Sequence, residues 1–129
     1  MGLFDKIFGG SADEDSVSHV SWKTLEDTNK IDELIVLSHL KPVVIFKHST
    51  RCGISRMVLN GFEQGYNLGE ESIELYFLDL LKYRNVSNEV AQRFGVVHQS
   101  PQLIIVKAGE VVHHNSHGEI DVKIINKFI

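Results

Sequence analysis

The chain has 129 residues, of which 43% are hydrophobic and 23% are charged, and its formal net charge is -4 at pH 7. This length is typical of one domain with a single core that needs neither a metal nor a disulfide for stability. The mildly acidic balance argues against nucleic acid as a primary partner. The longest apolar stretch, residues 34–46, is interrupted by polar residues. It is far shorter than the roughly 20 residues that a transmembrane helix needs, so no membrane span is expected.

Residues 1–18 combine glycine, serine and acidic residues after a short apolar start, which predicts a flexible N-terminal segment and linker. The folded domain is predicted to cover residues 19–129. The first ten residues lack the apolar core and the cleavage pattern of a signal peptide, so we expect a cytoplasmic protein.

The first half of the domain predicts a helix, a strand and a second helix. Apolar residues recur at helical spacing over residues 31–37, after Thr28 or Asn29 as the N-cap. Val43–Phe46 is apolar and β-branched, which is typical of a central strand buried on both faces. The segment from Cys52 to about residue 67 again has apolar residues at intervals of three and four, which predicts a helix.

The second half predicts a strand at residues 73–79, then a short helix at residues 87–95 from a serine cap to a glycine stop. Residues 102–106 and 111–112 predict a hairpin around a glycine-containing turn. A last helix is predicted to pack its apolar side chains on the core, and these are Ile120, Ile124, Ile125 and Phe128. This order predicts an α/β fold, with a mixed central sheet and helices on both faces.

Cys52 is the one cysteine of the chain, so any disulfide chemistry must use a partner molecule. It lies where the predicted strand meets the predicted helix, and there backbone N–H groups and the helix dipole stabilise a thiolate. The alternative is a buried structural thiol, which is common for free cysteines. The polar loop before Cys52 and Gly53 directly after it favour an exposed, functional thiol.

Other polar residues surround this cysteine in the sequence. Ser55 is expected on the same helical face, where its hydroxyl could donate to the thiolate but could not attack a mixed disulfide as a second thiol would. His48 and Arg51 are candidate donors nearby. Arg56 is a candidate contact for a carboxylate-bearing thiol. Pro101 begins the predicted strand of the hairpin, where it would stop strand pairing and leave backbone groups free.

These residues resemble the thioredoxin superfamily and, within it, the monothiol bacilliredoxin family of YtxJ-type proteins. The similarity is carried by residues 43–55, 90–101 and 102–112. By this resemblance Cys52 corresponds to the nucleophile, Ser55 to the position of the second cysteine of dithiol thioredoxins, and Pro101 to a cis-proline that faces the nucleophile. We predict that Cys52 and Ser55 are catalytic, that no residue binds a metal, and that five residues bind substrate: His48, Arg51, Gly53, Ser100 and Pro101.

The resemblance implies a monothiol thiol-disulfide exchange enzyme. It would remove bacillithiol, or a similar low-molecular-weight thiol, from S-thiolated client proteins through a transient mixed disulfide on Cys52. The small thiol would be a co-substrate, and no cofactor would be bound. We expect the protein to act as a monomer.

Two alternatives stay open. The run Cys52-Gly-Ile-Ser55 resembles the Cys-Gly-Phe-Ser of monothiol glutaredoxins, which share an iron-sulfur cluster, but the flanking residues depart from that pattern. A non-enzymatic binding module that uses the same fold is the other alternative.

The remaining candidates have ordinary interpretations beside functional ones. On a strand, His113 and His114 would point to opposite faces and could not both ligate one metal ion. His98 either lines the substrate groove or is an ordinary loop residue. Trp22 and Tyr83 are predicted to be packing residues rather than ligand contacts.

Overall fold

A computed structural model describes residues 20–69 and 71–129. The flexible segment predicted for residues 1–18 lies outside the described residues. Eight helices and strands follow in order, and these are β1 (Lys23–Thr24), α1 (Thr28–Leu37), β2 (Val43–His48), α2 (Gly53–Gly65), β3 (Glu74–Asp79), α3 (Arg84–Phe94), β4 (Gln102–Lys107) and β5 (Glu110–Ser116). Two 3-10 segments, His117–Glu119 and Val122–Phe128, close the chain.

The sheet has five strands in the order β1-β3-β2-β4-β5. β1 and β3 run parallel to each other and β3 runs parallel to β2, whereas β4 is antiparallel to both β2 and β5. All six residues of β2 are buried, which confirms the prediction of a central strand covered on both faces. The mixed sheet is also confirmed.

Each face of the sheet is covered by its own layer of side chains. On one face, Val43 and Ile45 of β2 pack against Leu34 of α1 and Val90 of α3. On the other face, the neighbouring β2 residues pack against α2 and the C-terminal 3-10 segment. Alternation along β2 sends successive side chains into different layers, so this strand joins both halves of the core.

The starts of two helices differ from the predictions. Asp27, not Thr28 or Asn29, is the N-cap of α1, and its carboxylate accepts a hydrogen bond from Asn29 N at 2.8 Å. Helix α3 begins at Arg84, one turn before the predicted cap at Ser87. Ser87 is fully buried inside the helix, so the serine that looked like a cap belongs to the packed face. The predicted glycine stop is correct, because Gly95 ends α3 with a φ of 66°.

The C-terminal region departs further from the prediction. β5 runs to Ser116 instead of ending near residue 112, and its two-residue turn uses the positive φ angles of Ala108 and Gly109. The predicted last helix is a 3-10 segment, Val122–Phe128, which is rich in β-branched residues of weak helix propensity. Its apolar side chains nevertheless pack on the core, as expected.

Within the described ranges, no helix combines the length and apolar character needed to cross a membrane.

Ile125 gives a test of how much the C-terminal segment contributes to stability. Its side chain is fully buried in the core layer on the α2 face of the sheet. We expect Ile125→Ala to lower the free energy of unfolding by about 2 to 4 kcal/mol, because it removes apolar contact and leaves a cavity. Urea denaturation measures this change. Ile129→Ala is the matched control, since Ile129 is 53% exposed, and an equal loss in both variants would contradict a specific docking role.

Candidate active site

Cys52 lies at the end of a short turn that leaves the central strand. It is the N-cap of α2, with an extended backbone, and its carbonyl accepts a hydrogen bond from Arg56 N at 3.1 Å. Its own N–H donates to Ser49 O at 3.2 Å, which closes the turn. The residue is half-buried. The thiol therefore stands at the positive end of a 13-residue helix, next to solvent.

Ser55 lies behind Cys52, in the first turn of the same helix, and is fully buried. Its hydroxyl oxygen accepts a hydrogen bond from Ser49 N at 3.1 Å and lies 2.8 Å from Nδ1 of His48. This hydroxyl thus joins the turn before Cys52 to the last residue of β2. The expected hydrogen bond from Ser55 to the thiolate stays a prediction.

His48 is buried, and its ring packs against Phe77 with 5.3 Å between the centroids. Burial lowers the pKa of His48 below its usual value, and Arg56 adds to this, whereas Asp79 and Glu63 oppose it. A neutral imidazole carries one N–H. If that proton is on Nδ1, His48 donates to Ser55 and the serine O–H is free to point at the thiolate. If the proton is on Nε2, Nδ1 of His48 accepts a hydrogen bond from the Ser55 O–H, which then cannot donate to the thiolate.

The buried ring of His48 contacts the Ser55 hydroxyl rather than solvent. The predicted substrate contact of His48 stays a prediction, and 6% of the residue is exposed.

Pro101 lies at the same end of the sheet as Cys52. The register of β2 and β4 pairs Lys47 with Gln102, so the residues that follow β2 and those that precede β4 leave the sheet together. The Ser100–Pro101 peptide bond is cis, as the resemblance implied. The buried Gln102 holds the preceding loop through its side chain, which donates to Val97 O at 3.0 Å and accepts from Gln99 N at 3.4 Å.

Ser100, predicted to bind substrate, is half-buried, and its hydroxyl oxygen is covered without a hydrogen-bond partner among the described residues. Its predicted contact with substrate stays a prediction. Arg51 and Gly53, by contrast, are exposed on either side of Cys52. A Cβ atom placed on Gly53 would meet no atom within 4 Å, so the surface beside the thiol is open.

Lys47 lies next to the site, directly before His48, and the sequence pattern did not single it out. Its side chain is fully buried on the face opposite His48, and Nζ lies 3.2 Å from both Ser87 O and Nδ1 of His98. Burial lowers the pKa of Lys47 to about 8. Desolvation, together with the charges of Lys47 and Arg84, lowers the pKa of His98. The signal was a lysine within an otherwise apolar strand, because a charged residue there must find partners in the interior.

Lys47 thus connects β2, α3 and the loop that leads to Pro101. Nδ1 of His98 makes the contact with Lys47, which holds the loop after α3 against β2. The same nitrogen lies 3.4 Å from the hydroxyl of Ser87.

The other candidates have packing roles. Trp22 packs against three phenylalanine rings at centroid distances of 5.7 to 5.9 Å, and its Nε1 donates to Glu63 at 2.6 Å. Tyr83 packs against the core layer of α1 and α3. These contacts confirm the packing predictions for both residues. His113 is half-buried near Phe128, whereas His114 is exposed on the other face of β5, as the strand alternation predicted.

A sequence profile of the family described as monothiol bacilliredoxin BrxC matches residues 23–125. The chain belongs to the monothiol bacilliredoxin family. This confirms the resemblance seen in the sequence, and the match covers every strand and helix from β1 to β5.

Solved structures support the fold. A chain described as having a thioredoxin fold and an inferred oxidoreductase activity is 29% identical, with a TM-score of 0.68 over 81% of this chain and 89% of that one. The thioredoxin of Malassezia sympodialis is 18% identical, with a TM-score of 0.65 over 86% of this chain and 90% of its own. Fasciola hepatica thioredoxin, also 18% identical, has a TM-score of 0.60 over 81% and 93%. This bacilliredoxin therefore has a thioredoxin fold, and its family and fold support a thiol redox function.

The buried ammonium of Lys47 predicts an unusual dependence of stability on pH. The pKa of Lys47 is about 8 in the folded protein, below the ordinary lysine value. Between the two values the unfolded chain binds a proton that the folded chain has released, so the free energy of unfolding rises with pH. We expect a rise of about 1 to 2 kcal/mol from about pH 7.5 to about pH 9.5 from this residue.

Urea denaturation at both pH values measures this rise, and Lys47→Met removes the group that causes it. Lys107→Met, an exposed lysine on β4, is the control. We expect the rise to shrink in Lys47→Met alone. The same rise in all three proteins would show that Lys47 keeps an ordinary pKa.

Proposed function

We propose that this bacilliredoxin is a monothiol exchange enzyme, which removes a low-molecular-weight thiol such as bacillithiol from S-thiolated client proteins. The observation that carries the proposal is the position of one cysteine at the start of α2, with a buried hydroxyl at position 55 instead of a second thiol. We expect this exchange to run in the cytoplasm, where thiols are kept reduced.

In the first step the Cys52 thiolate attacks the small-thiol sulfur of the client's mixed disulfide. The original S–S bond breaks, the client thiolate leaves and takes a proton from solvent, and the small thiol is now bound to Cys52 by a new S–S bond. In the second step another low-molecular-weight thiolate attacks that sulfur, which releases a small disulfide and restores the Cys52 thiolate. No external oxidant or reductant is needed in either step beyond this second thiol.

The surroundings of Cys52 support each requirement of this sequence. Cys52 lies at the N-terminus of α2, where backbone N–H groups without helical partners point towards a bound negative charge. Ser55 is compatible with the second step because its hydroxyl, unlike a second thiol, cannot displace the small thiol from Cys52. The mixed disulfide therefore stays until another small thiol attacks it. The neutral His48 orients the Ser55 hydroxyl, and we assign it as a positioning residue for the thiolate.

Transfer of the small thiol tests the proposal directly. A client protein that carries a bacillithiol mixed disulfide is mixed with the reduced protein, and intact masses are recorded over time. We expect the wild type to gain the mass of the small thiol while the client loses it. Cys52→Ala should gain nothing. Retained transfer in Cys52→Ala, or no transfer to the wild type from any small-thiol adduct, would overturn the proposal.

Ser55→Cys tests the role of the missing second thiol. The new thiol would lie one helical turn from Cys52, so it should attack the mixed disulfide and release the small thiol. We expect the mass adduct to persist on the wild type and to be replaced by an internal disulfide in Ser55→Cys. Ser55→Ala is the matched control and should keep the adduct. A persistent adduct on Ser55→Cys would argue against attack from position 55.

A further inference from the structure

A groove runs beside Cys52 between two loops that leave the sheet together. It has a volume of about 400 Å³ and is lined by Thr50 and Arg51 on one side and by Asp79, Leu81 and Lys82 on the other. The strands set this arrangement, because β2 and β3 pair up to His48 and Asp79 and because Leu80 N donates to His48 O at 3.1 Å. The groove is thus a fixed consequence of the sheet register.

The groove is positively charged in an acidic chain. Arg51 and Lys82 are both exposed on its walls, on opposite sides. The single lining carboxylate, Asp79, accepts hydrogen bonds from Leu81 N and Lys82 N, each at 3.2 Å, which hold its loop. The guanidinium of Arg56 donates to Thr50 O at 3.3 Å, so a third cation lies at the rim. The whole chain carries a net charge of -4, so the positive charge of the groove is opposite in sign to the net charge of the protein.

The groove lining continues along the chain directly into the reacting residue. Arg51 directly precedes Cys52, so the two Cα atoms are about 3.8 Å apart. A small thiol bound to Cys52 by a disulfide can extend along the groove wall from its sulfur. The planar guanidinium of Arg51 suits a carboxylate. Lys82 supplies a second positive charge, and its Nζ lies 5.5 Å from the centroid of the Tyr83 ring.

We propose that this groove binds the carboxylate of the low-molecular-weight thiol that Cys52 accepts, so that the transfer step selects anionic small thiols. The inference rests on the proposed function and adds to it the chemical class of the transferred thiol. Arg51 and Lys82 are the residues that determine this specificity. The site recognises the small thiol, and an acidic surface on the client protein is the competing explanation that the experiment separates.

The experiment uses one client protein prepared in three forms, each of which carries one small-thiol adduct, and the three adducts are of similar size. These are the mixed disulfides with 3-mercaptopropionate, which is anionic, with 2-mercaptoethanol, which is neutral, and with cysteamine, which is cationic. Because the client is the same in all three, its own charge is constant. Rate constants for transfer to Cys52 are measured by intact mass for the wild type and for the double variant Arg51→Gln/Lys82→Gln. Comparing the two proteins on the same adduct cancels the intrinsic reactivity of that thiol.

The control is Lys107→Gln/Lys123→Gln, which removes two exposed lysines at the opposite end of the molecule, at the end of β4 and in the last 3-10 segment. All four substituted residues are exposed, so the variants should fold as the wild type does, which their unfolding midpoints check.

We expect the double variant to lose about fivefold to tenfold in rate on the anionic adduct, the effect of two exposed charge contacts. The neutral adduct should change less than about twofold, the cationic adduct should not slow, and added salt should shrink the difference. The control variant should match the wild type on all adducts.

Three results would overturn the inference. An equal loss on all three adducts would show that the cations recognise the client or hold the loop. No loss on any adduct would show that the groove does not bind the small thiol. In both cases the proposed function would stand. Absence of transfer from every adduct to the wild type would instead remove the proposed function itself, and the inference with it.

Discussion

The central strand β2 is the constraint on which the site depends. Its six residues are all buried and are paired on both sides, with β3 in parallel and with β4 in antiparallel orientation. Because of these directions, the C-terminal ends of β2 and β3 and the N-terminal end of β4 lie at one edge of the sheet. The turn to Cys52, the loop after Asp79 and the loop before Gln102 therefore meet there. A one-residue change of register would exchange the faces of every β2 side chain.

The last two residues of β2 make the interior polar at this edge. Alternation sends Lys47 to the layer of α1 and α3 and His48 to the layer of α2. Lys47 is tied to Ser87 and His98, whereas His48 is tied to Ser55. Holding the ammonium of Lys47 away from water opposes folding, and its two hydrogen bonds offset part of that cost. The two residues thus connect both flanking layers to the loops that surround the thiol.

The sequence predicted those features that depend on short stretches of chain. The helix start at Cys52 followed from a buried strand, a polar turn and apolar residues at helical spacing, all within residues 43–67. The last strand was predicted too short, because His113 and His114 look polar although an edge strand can carry polar side chains on its open face. The last helix was predicted as regular because its apolar spacing does not distinguish an α-helix from a 3-10 segment that is held by the same contacts.

Features that join distant segments could not be predicted in this way. The groove needs Arg51 and Lys82 on facing walls, and they are brought together by the pairing of β2 with β3. The contact of Lys47 with His98 likewise depends on how α3 and the loop after it lie on the sheet. Ser87 looked like a helix cap, since its local sequence fits one, but tertiary packing placed it inside α3. In each case the deciding interaction is between residues that lie far apart along the chain.

The arrangement separates the reactivity of the thiol from the choice of its substrate. In the proposed mechanism, reactivity depends on the start of α2 and on Ser55 and His48, which are buried behind Cys52. In the same proposal, substrate choice depends on the exposed side, where Gly53 leaves open space and Arg51 lines a charged groove. In the proposed exchange Ser55 cannot displace a bound thiol, so the client and the second small thiol would both approach from that exposed side. Under this proposal one surface would govern both half-reactions, and a change in its charge should alter selectivity while the groups behind Cys52 keep their positions.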